Sequence, residues 1–381
     1  MRALVVALLI LFLARPDASA LAQAPLPERL KAAIARIDDM AAAEHARDNV
    51  GSLSVGVISG GRLVWTKSYG LADMESKTPA TADTVYRIGS ITKPFTALML
   101  LQLAQEGKVN LSDPVDKYFP EVTKIQKPSA GAPRITLEQL ATMTSGLARE
   151  PANVSSYNIG RVSDWETTLL AALPHTRYEF APGSRYFYSN IGYATLGAAL
   201  ARAAGMPYVQ YIEERILTPL DMKHTAFERN DAIRSRIATG YNLSPAGHVS
   251  SDWAMKQQDG RGYRVPNGGL YSTVGDLSRF VAFELGLGPE SVLKKQVLEE
   301  TFERLSWSSA RKDSAYGIGM RIQRVGNLIA FGHGGDVPGY VANARFDRAS
   351  KTGVIVLRSA NGGRFDLRGL TYGALAELGK R

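Results

Sequence analysis

Apolar positions recur along this chain in patterns that set the order of its elements. Leu30, Ala33, Ile34, Ile37 and Met40 fall at helical spacing after Pro27 and predict an amphipathic helix. Two β-rich runs, Ser54 to Ile58 and Leu63 to Tyr69, flank Gly60-Gly61 and predict a hairpin whose turn uses the permissive glycines. From Pro94 to about residue 305 helical patterns prevail. The clearest are Phe95 to Gln105 stopped by Gly107, Asn190 to Ala204 stopped by Gly205, and Val274 to Leu285 stopped by Gly286. Strand patterns return at Gly317 to Ile322, Leu328 to Phe331, Tyr340 to Phe346 and Gly353 to Leu357, and a last helix is predicted over about Phe365 to Leu378. Strands at both ends around a helical middle predict one sheet formed by the two chain ends and carrying an inserted helical region.

The first residues follow a different rule. Arg2 precedes an uninterrupted apolar run, Ala3 to Ala14, and small residues spaced A-x-A follow as far as Ala24. A run of this length is short of the roughly 20 residues a membrane span needs. Residues 1–22 therefore read as a secretory signal peptide, cleaved after Ala20 or Ala22, which places the mature protein in a periplasm or outside the cell. No stable membrane span is expected after processing.

Composition narrows the chemistry. The 381 residues contain no Cys, which excludes disulfides, thiolate metal sites and a Cys nucleophile. A net charge of +9 is spread without a Lys/Arg block or aromatic-interleaved basic stretch, so nucleic acid is not an expected partner. The five His are scattered with no H-x-x-x-H pair, and neither a G-x-S-x-G elbow nor a phosphate-cradling glycine motif occurs. No metal or cofactor is expected.

What remains is Arg87-Ile88-Gly89-Ser90-Ile91-Thr92-Lys93-Pro94-Phe95. Ser90 lies three residues before Lys93, on the same face of a helix whose first turn accommodates Pro94. The helix behind them is almost wholly apolar, so desolvation should lower the Lys93 pKa and free its amine. A Ser beside such an amine is an activated nucleophile, and the helix start favours a developing oxyanion. Taken alone, the same pattern fits a helix-capping Ser with a snorkelling Lys.

The wider context favours the nucleophile. From about Ser54 to Asn361 the chain resembles the β-lactamase-related serine hydrolases: class C β-lactamases, DD-peptidases, D-aminopeptidases and esterases of the same fold. The resemblance rests on Ser90-Ile91-Thr92-Lys93, Thr144-Ser145-Gly146-Leu147, Tyr188-Ser189-Asn190, Pro219 to Met222, Gly268 to Thr273 and His333-Gly334-Gly335. It implies an α/β (α+β) fold of the β-lactamase/transpeptidase type, with an antiparallel sheet from both chain ends and flanking helices. Residues 23–381 would form a single catalytic domain, its sheet part about 27–92 and 306–381 and its helical part about 93–305. It also implies Ser90 as the acylated serine, Lys93 and Tyr188 as a coupled proton-moving pair, and Asn190 orienting Lys93 and a substrate amide. His333, Gly334 and Gly335 would edge the site in place of a Lys-Thr-Gly triplet, and the Asp336 N–H would join that of Ser90 as an oxyanion hole. A literal Lys351-Thr352-Gly353 reads instead as a turn between strands. Met143 replaces a usual His at a position expected to be structural.

These residues point to an exported serine hydrolase acting on a small ester, amide or D-amino-acid peptide. Esterase or D-amino-acid peptidase activity ranks ahead of true β-lactam hydrolysis. His333, with an unperturbed pKa near 6.5, would offer one donor without charge, so anionic substrates should be favoured less than by a Lys, and acidification should narrow the gap. Arg345 is the cation available to replace that Lys. The reading from another class is a non-catalytic member of the fold that binds peptidoglycan or a protein partner.

Overall fold

The computed structural model describes residues 25–126, 131–307 and 313–380, and the signal-peptide expectation lies outside them. Helix α1 (Glu28–Ala46) opens the chain and leads into strands β1 (Ser52–Ser59), β2 (Arg62–Asp73) and β3 (Thr78–Pro79). The β1–β2 turn is made by Gly60 and Gly61, both at positive φ, where a side chain would be strained. Helices α2 (Thr92–Gln105), α3 (Asn190–Ala204) and α4 (Val274–Ala282) belong to the inserted region. Six further strands follow: β4 (Ser306–Trp307), β5 (Ser314–Tyr316), β6 (Arg321–Val325), β7 (Leu328–Val337), β8 (Tyr340–Asp347) and β9 (Thr352–Arg358). Helix α5 (Leu367–Gly379) closes the chain.

Among the described residues these strands form one antiparallel sheet in the order β3-β2-β1-β9-β8-β7-β6-β5-β4. The two chain ends meet at β1 and β9, where Val55 pairs with Val356. Alternation then decides what each face buries. Val55, Val57, Val354 and Val356 pack with Ile34 and Ile37 of α1 and Leu370 and Leu375 of α5. On the opposite face Ala342, Phe346, Ile355 and Leu357 join Phe95, Leu98 and Met99 of α2 and the buried side of α3. The sheet is thus sandwiched between a terminal helix pair and the inserted helices, as the element order predicts.

Two predicted strands differ from those observed. Gly317 to Ile322 is not one strand: β5 ends at Tyr316, and Gly319, at φ +79°, turns the chain before β6 begins at Arg321. The turn carries Gly319 against α2, where a Cβ would lie 2.5 Å from that of Ala97. The Leu328 to Phe331 run, by contrast, extends through His333-Gly334-Gly335 to Val337, because β8 pairs with it over that whole length. Its other neighbour, β6, is shorter. Their register ends at the Arg321–Gly332 pair, and His333 to Asp336 line a cleft there instead.

Candidate active site

The apolar sequence of α2 explains why its first turn is held so rigidly. Ile91, Phe95, Leu98, Met99 and Leu100 are fully or almost fully buried, which anchors the helix between the sheet and α3. Ser90 lies in a tight turn, Gly89–Ile91, that feeds directly into α2, and Lys93 follows one turn later with no exposed surface. Thr92 fastens this turn by donating to the Gly89 carbonyl at 2.8 Å. The cleft above it has a volume of about 480 Å³, and Ser90, Tyr188, Asn190, His333, Gly334, Gly335 and Asp336 all line it. Every predicted site residue except Lys93 thus faces this cavity, and Lys93 sits directly beneath Ser90.

Lys93 Nζ lies 3.0 Å from Ser90 Oγ, 2.8 Å from Asn190 Oδ1 and 2.9 Å from the Asn267 carbonyl. The orientation of the Asn190 amide is settled by its other end, because its Nδ2 donates to the Glu150 carboxylate at 2.6 Å. Asn190 therefore presents an oxygen to Lys93. Glu150 is itself held by Arg264 at 2.8 Å and by the Tyr263 hydroxyl. Burial drives the Lys93 pKa well below that of a free amine, with Arg149, Arg261 and Arg264 adding to the effect and Glu150 opposing it. Tyr188 goes the other way. Burial pushes its phenol up to about 12, against a hydrogen-bonding Ser90 hydroxyl and the nearby Arg321 and Arg149. Desolvation thus favours a neutral amine beside a neutral phenol. Lys93 Nζ lies 4.8 Å from the Tyr188 ring centroid.

The oxyanion-hole assignment can be followed through the glycines. A Cβ on Gly335 would fall 1.9 Å from the Ile88 carbonyl and 3.1 Å from the Ser90 amide, and one on Gly89 would fall 3.0 Å from the Asp336 amide. The two glycines let β7 approach the Ser90 turn this closely, with the Asp336 amide against Gly89 and the Ser90 amide against Gly335.

His333 departs from expectation. Its ring is buried, with Nδ1 2.6 Å from the Gly334 carbonyl and Nε2 3.1 Å from the Tyr316 hydroxyl. Burial, reinforced by Arg321, Lys93 and Arg345, holds its pKa well below the ordinary histidine value. It is neither a group titrating near 6.5 nor an uncommitted donor. Arg345, the anticipated replacement cation, spends donors on Asn343 Oδ1 at 2.9 Å and the Gly332 carbonyl at 2.8 Å. The guanidiniums of Arg149 and Arg321 lie 4.9 and 5.0 Å from the Tyr188 ring centroid.

The two remaining expectations concern support. Lys351 occupies the β8–β9 turn at φ +55° and donates to the Leu285 carbonyl, and Lys351-Thr352-Gly353 does not line the cleft. Met143 accepts the Ser189 N–H at 3.2 Å through its sulfur and so braces the segment that carries Tyr188.

A profile of the beta-lactamase family matches residues 37–378. The chain belongs to the beta-lactamase family. It is 30% identical to Beta-lactamase-like protein 2 of Dictyostelium discoideum over 86% of this chain and 59% of that protein. It is 26% identical to Protein flp of Staphylococcus aureus (strain MW2) over 86% of this chain and 63% of that one. The chain thus spans about three fifths of the length of these curated relatives. Among solved structures, the octameric penicillin-binding protein homologue from Pyrococcus abyssi superposes with a TM-score of 0.73 at 26% identity, covering 91% of this chain and 77% of that one. A D-stereospecific amidohydrolase from Streptomyces sp. shares the fold, with a TM-score of 0.71 at 24% identity over 88% of this chain and 96% of that one. Family membership accounts for the fold that surrounds the Ser90 cleft.

Several residues of this beta-lactamase-family site escaped the sequence reading. Asn267 immediately precedes the Gly268-Gly269 motif, and Glu150 lies three residues beyond Leu147, so both sit beside recognised stretches. Tyr316 and Arg321 carry no local signal. They reach the site only because the Gly319 turn folds β5 and β6 against β7.

Proposed function

We propose that this protein hydrolyses an ester or amide through a covalent acyl-enzyme on Ser90. A simple ester or a D-amino-acid amide or peptide would be preferred to a β-lactam. The observation that carries this reading is the disposition of the Lys93 hydrogens. A neutral amine has two N–H groups and one lone pair. The Asn190 Oδ1 and the Asn267 carbonyl are pure acceptors and take both hydrogens. On a neutral Lys93 the lone pair is then left for the Ser90 hydroxyl 3.0 Å away, whereas an ammonium would donate its third hydrogen to Ser90 Oγ. This is the geometry of a general base already on its nucleophile.

In acylation Ser90 Oγ bonds to the substrate carbonyl carbon as its proton passes to Lys93 Nζ. The carbonyl oxygen becomes an oxyanion facing the Ser90 and Asp336 amides. Tyr188, still protonated, gives its proton to the leaving oxygen or nitrogen as the scissile bond breaks, and the Lys93 ammonium restores it. Water then attacks the acyl carbon by the same route in reverse and frees Ser90. Pushing one group's pKa down and its neighbour's up assigns base and acid within one site.

The unpaired edge of β7 suits a peptide-like substrate laid alongside Gly334 to Asp336. Cationic recognition falls to Arg149 and Arg321 beside Tyr188, since His333 adds no charge on the strand. Residues 1–22 are proposed as the leader that exports the protein, and N-terminal sequencing of the mature chain tests this directly. A panel of aryl esters, D-amino-acid amides and a chromogenic cephalosporin tests the substrate reading. Turnover of the first two should exceed that of the third. Failure of a fluorophosphonate to label Ser90 would favour a non-catalytic binding role instead.

A further inference from the structure

We infer that Tyr316 is a positioning residue that holds His333 as the Nδ1–H tautomer, so that β7 meets substrate through its backbone and not through this side chain. The inference rests on the reading of the Ser90 cleft as the substrate site. It starts from the two ring contacts of His333. A carbonyl oxygen only accepts, so Nδ1, 2.6 Å from the Gly334 carbonyl, carries a hydrogen. The neutral ring then has its lone pair on Nε2, and the Tyr316 hydroxyl at 3.1 Å donates to it.

The surroundings keep the ring neutral from every side. Arg321 approaches from β6, Arg345 from β8 and Lys93 from α2. The phenols of Tyr316 on β5 and Tyr188 ahead of α3 complete the enclosure, with ring centroids 5.8 and 6.0 Å from that of His333. A proton added to Nε2 would meet the Arg321 and Arg345 guanidiniums and displace the Tyr316 hydrogen. Tyr316 is also tied into the site, since its ring lies edge-on to Tyr188 at 6.1 Å.

The consequence concerns specificity. A charged or donating side chain at the His333 position would grip an anionic substrate group. With both nitrogens occupied, His333 contributes shape alone, and selection between anionic and neutral substrates should not change with pH between about 5.5 and 8.

Nitrogen-15 spectra of the histidine rings in the full-length protein test this, with His333 assigned by its loss in His333→Gln. The expected result is one protonated and one unprotonated ring nitrogen, the protonated one being Nδ1, unchanged from pH 8 to 5.5. Tyr316→Phe should introduce the second tautomer and lower kcat/KM about three- to tenfold, the worth of one neutral hydrogen bond. It should leave fluorophosphonate labelling of Ser90 intact. An Nε2–H ring, or a ring protonated on both nitrogens at pH 7, overturns the inference from the wild-type spectrum alone, whether or not the variant folds. Histidine signals unmoved by Tyr316→Phe overturn it as well. Absence of Ser90 labelling in the wild type would instead defeat the hydrolase reading, and the spectra would still decide the tautomer.

Discussion

Two nitrogen bases flank Ser90, and the protein treats them oppositely. Lys93 and His333 are both buried, and burial lowers the pKa of both. On the Lys93 side the partners are acceptors, Asn190 Oδ1 and the Asn267 carbonyl, with the Glu150 carboxylate one step behind. On the His333 side the ring meets the Gly334 carbonyl and the Tyr316 hydroxyl, which on the inferred tautomer donates to the one lone pair of the ring. A lowered pKa therefore does not make a base. On the roles proposed here, what distinguishes the two is where the lone pair points: at the Ser90 hydroxyl in one case, at the Tyr316 hydroxyl in the other.

The hardest way to break the comparison is to remove the reacting groups on the Lys93 side. Ser90→Ala should abolish covalent labelling and turnover. Lys93→Ala should lower kcat by about 10³-fold or more, and the double variant should be little worse than either single one, because the residues act as a unit. Comparable losses from His333→Gln would erase the asymmetry argued above. Steady-state kinetics on one ester substrate checks all four variants.

The next largest effect is expected where the two sides meet. Gly335→Ala places a methyl 1.9 Å from the Ile88 carbonyl, an approach that only a backbone shift can relieve. That shift separates β7 from the Ser90 turn and spoils the two-amide hole, so kcat should fall roughly 10²-fold or more. Circular dichroism should show the fold intact. A variant with near-normal kcat would remove Asp336 from the oxyanion hole.

Glu150→Gln sharpens the Lys93 side without touching a reacting atom. A glutamine can present its own amide nitrogen to Asn190 and so let that side chain turn over. Loss of the oxygen acceptor would misdirect the Lys93 lone pair, for a fall of about 10- to 10²-fold in kcat/KM. The pH profile gives a separate sign. Glu150 raises the Lys93 pKa, so removing its charge lowers that pKa further. The acid limb of kcat/KM, which follows deprotonation of the base, should then move to lower pH. A limb that stays in place, or moves up, would mean that Glu150 does not act through Lys93.

The same contrast explains what could be read before the structure. Ser90 and Lys93 lie at a helix start, where i, i+3 spacing alone puts both side chains on one face, whereas Tyr188 and Asn190 were reached through the family resemblance. The helices ended where their glycines said they would, at Gly205 for α3 and near Gly286 for α4. Tyr316 and Arg321 were illegible because their positions depend on a turn at Gly319 inside what reads as one continuous strand. His333 was visible, but its ionisation was not. It is lowered first by burial and then by Arg321, Lys93 and Arg345, which come from three separate elements. Local pattern reports faces and ends of elements, whereas the field at a buried ring is a property of the assembled layers.

The smallest effect on catalysis is expected from a third buried titratable group, which tests whether pH effects on rate belong to the site at all. Glu284, just after α4, is buried against Pro94, Ala97, Leu98 and Leu101 of α2, and its Oε2 has no hydrogen-bond partner among the described residues. Burial pushes its carboxyl up to about 8, with Arg348 opposing, whereas a free glutamate titrates near 4.3. The folded value lies above the unfolded one. Its contribution to stability is therefore fully present below about pH 4.3 and is lost as the pH rises through about 8. Glu284→Gln keeps the shape and removes the titration. Its kcat/KM profile should match the wild type within about twofold at every pH, since the group touches no reacting atom. Thermal unfolding should separate the two proteins: relative to the wild type, the variant should gain roughly 2 °C or more in Tm between pH 5 and pH 9. If the Tm difference is the same at both pH values, the carboxyl is not held protonated by its burial. If the rate profile moves with it, α2 transmits the charge of Glu284 to Lys93, and the pH dependence of the site cannot be assigned to the Ser90 flanks alone.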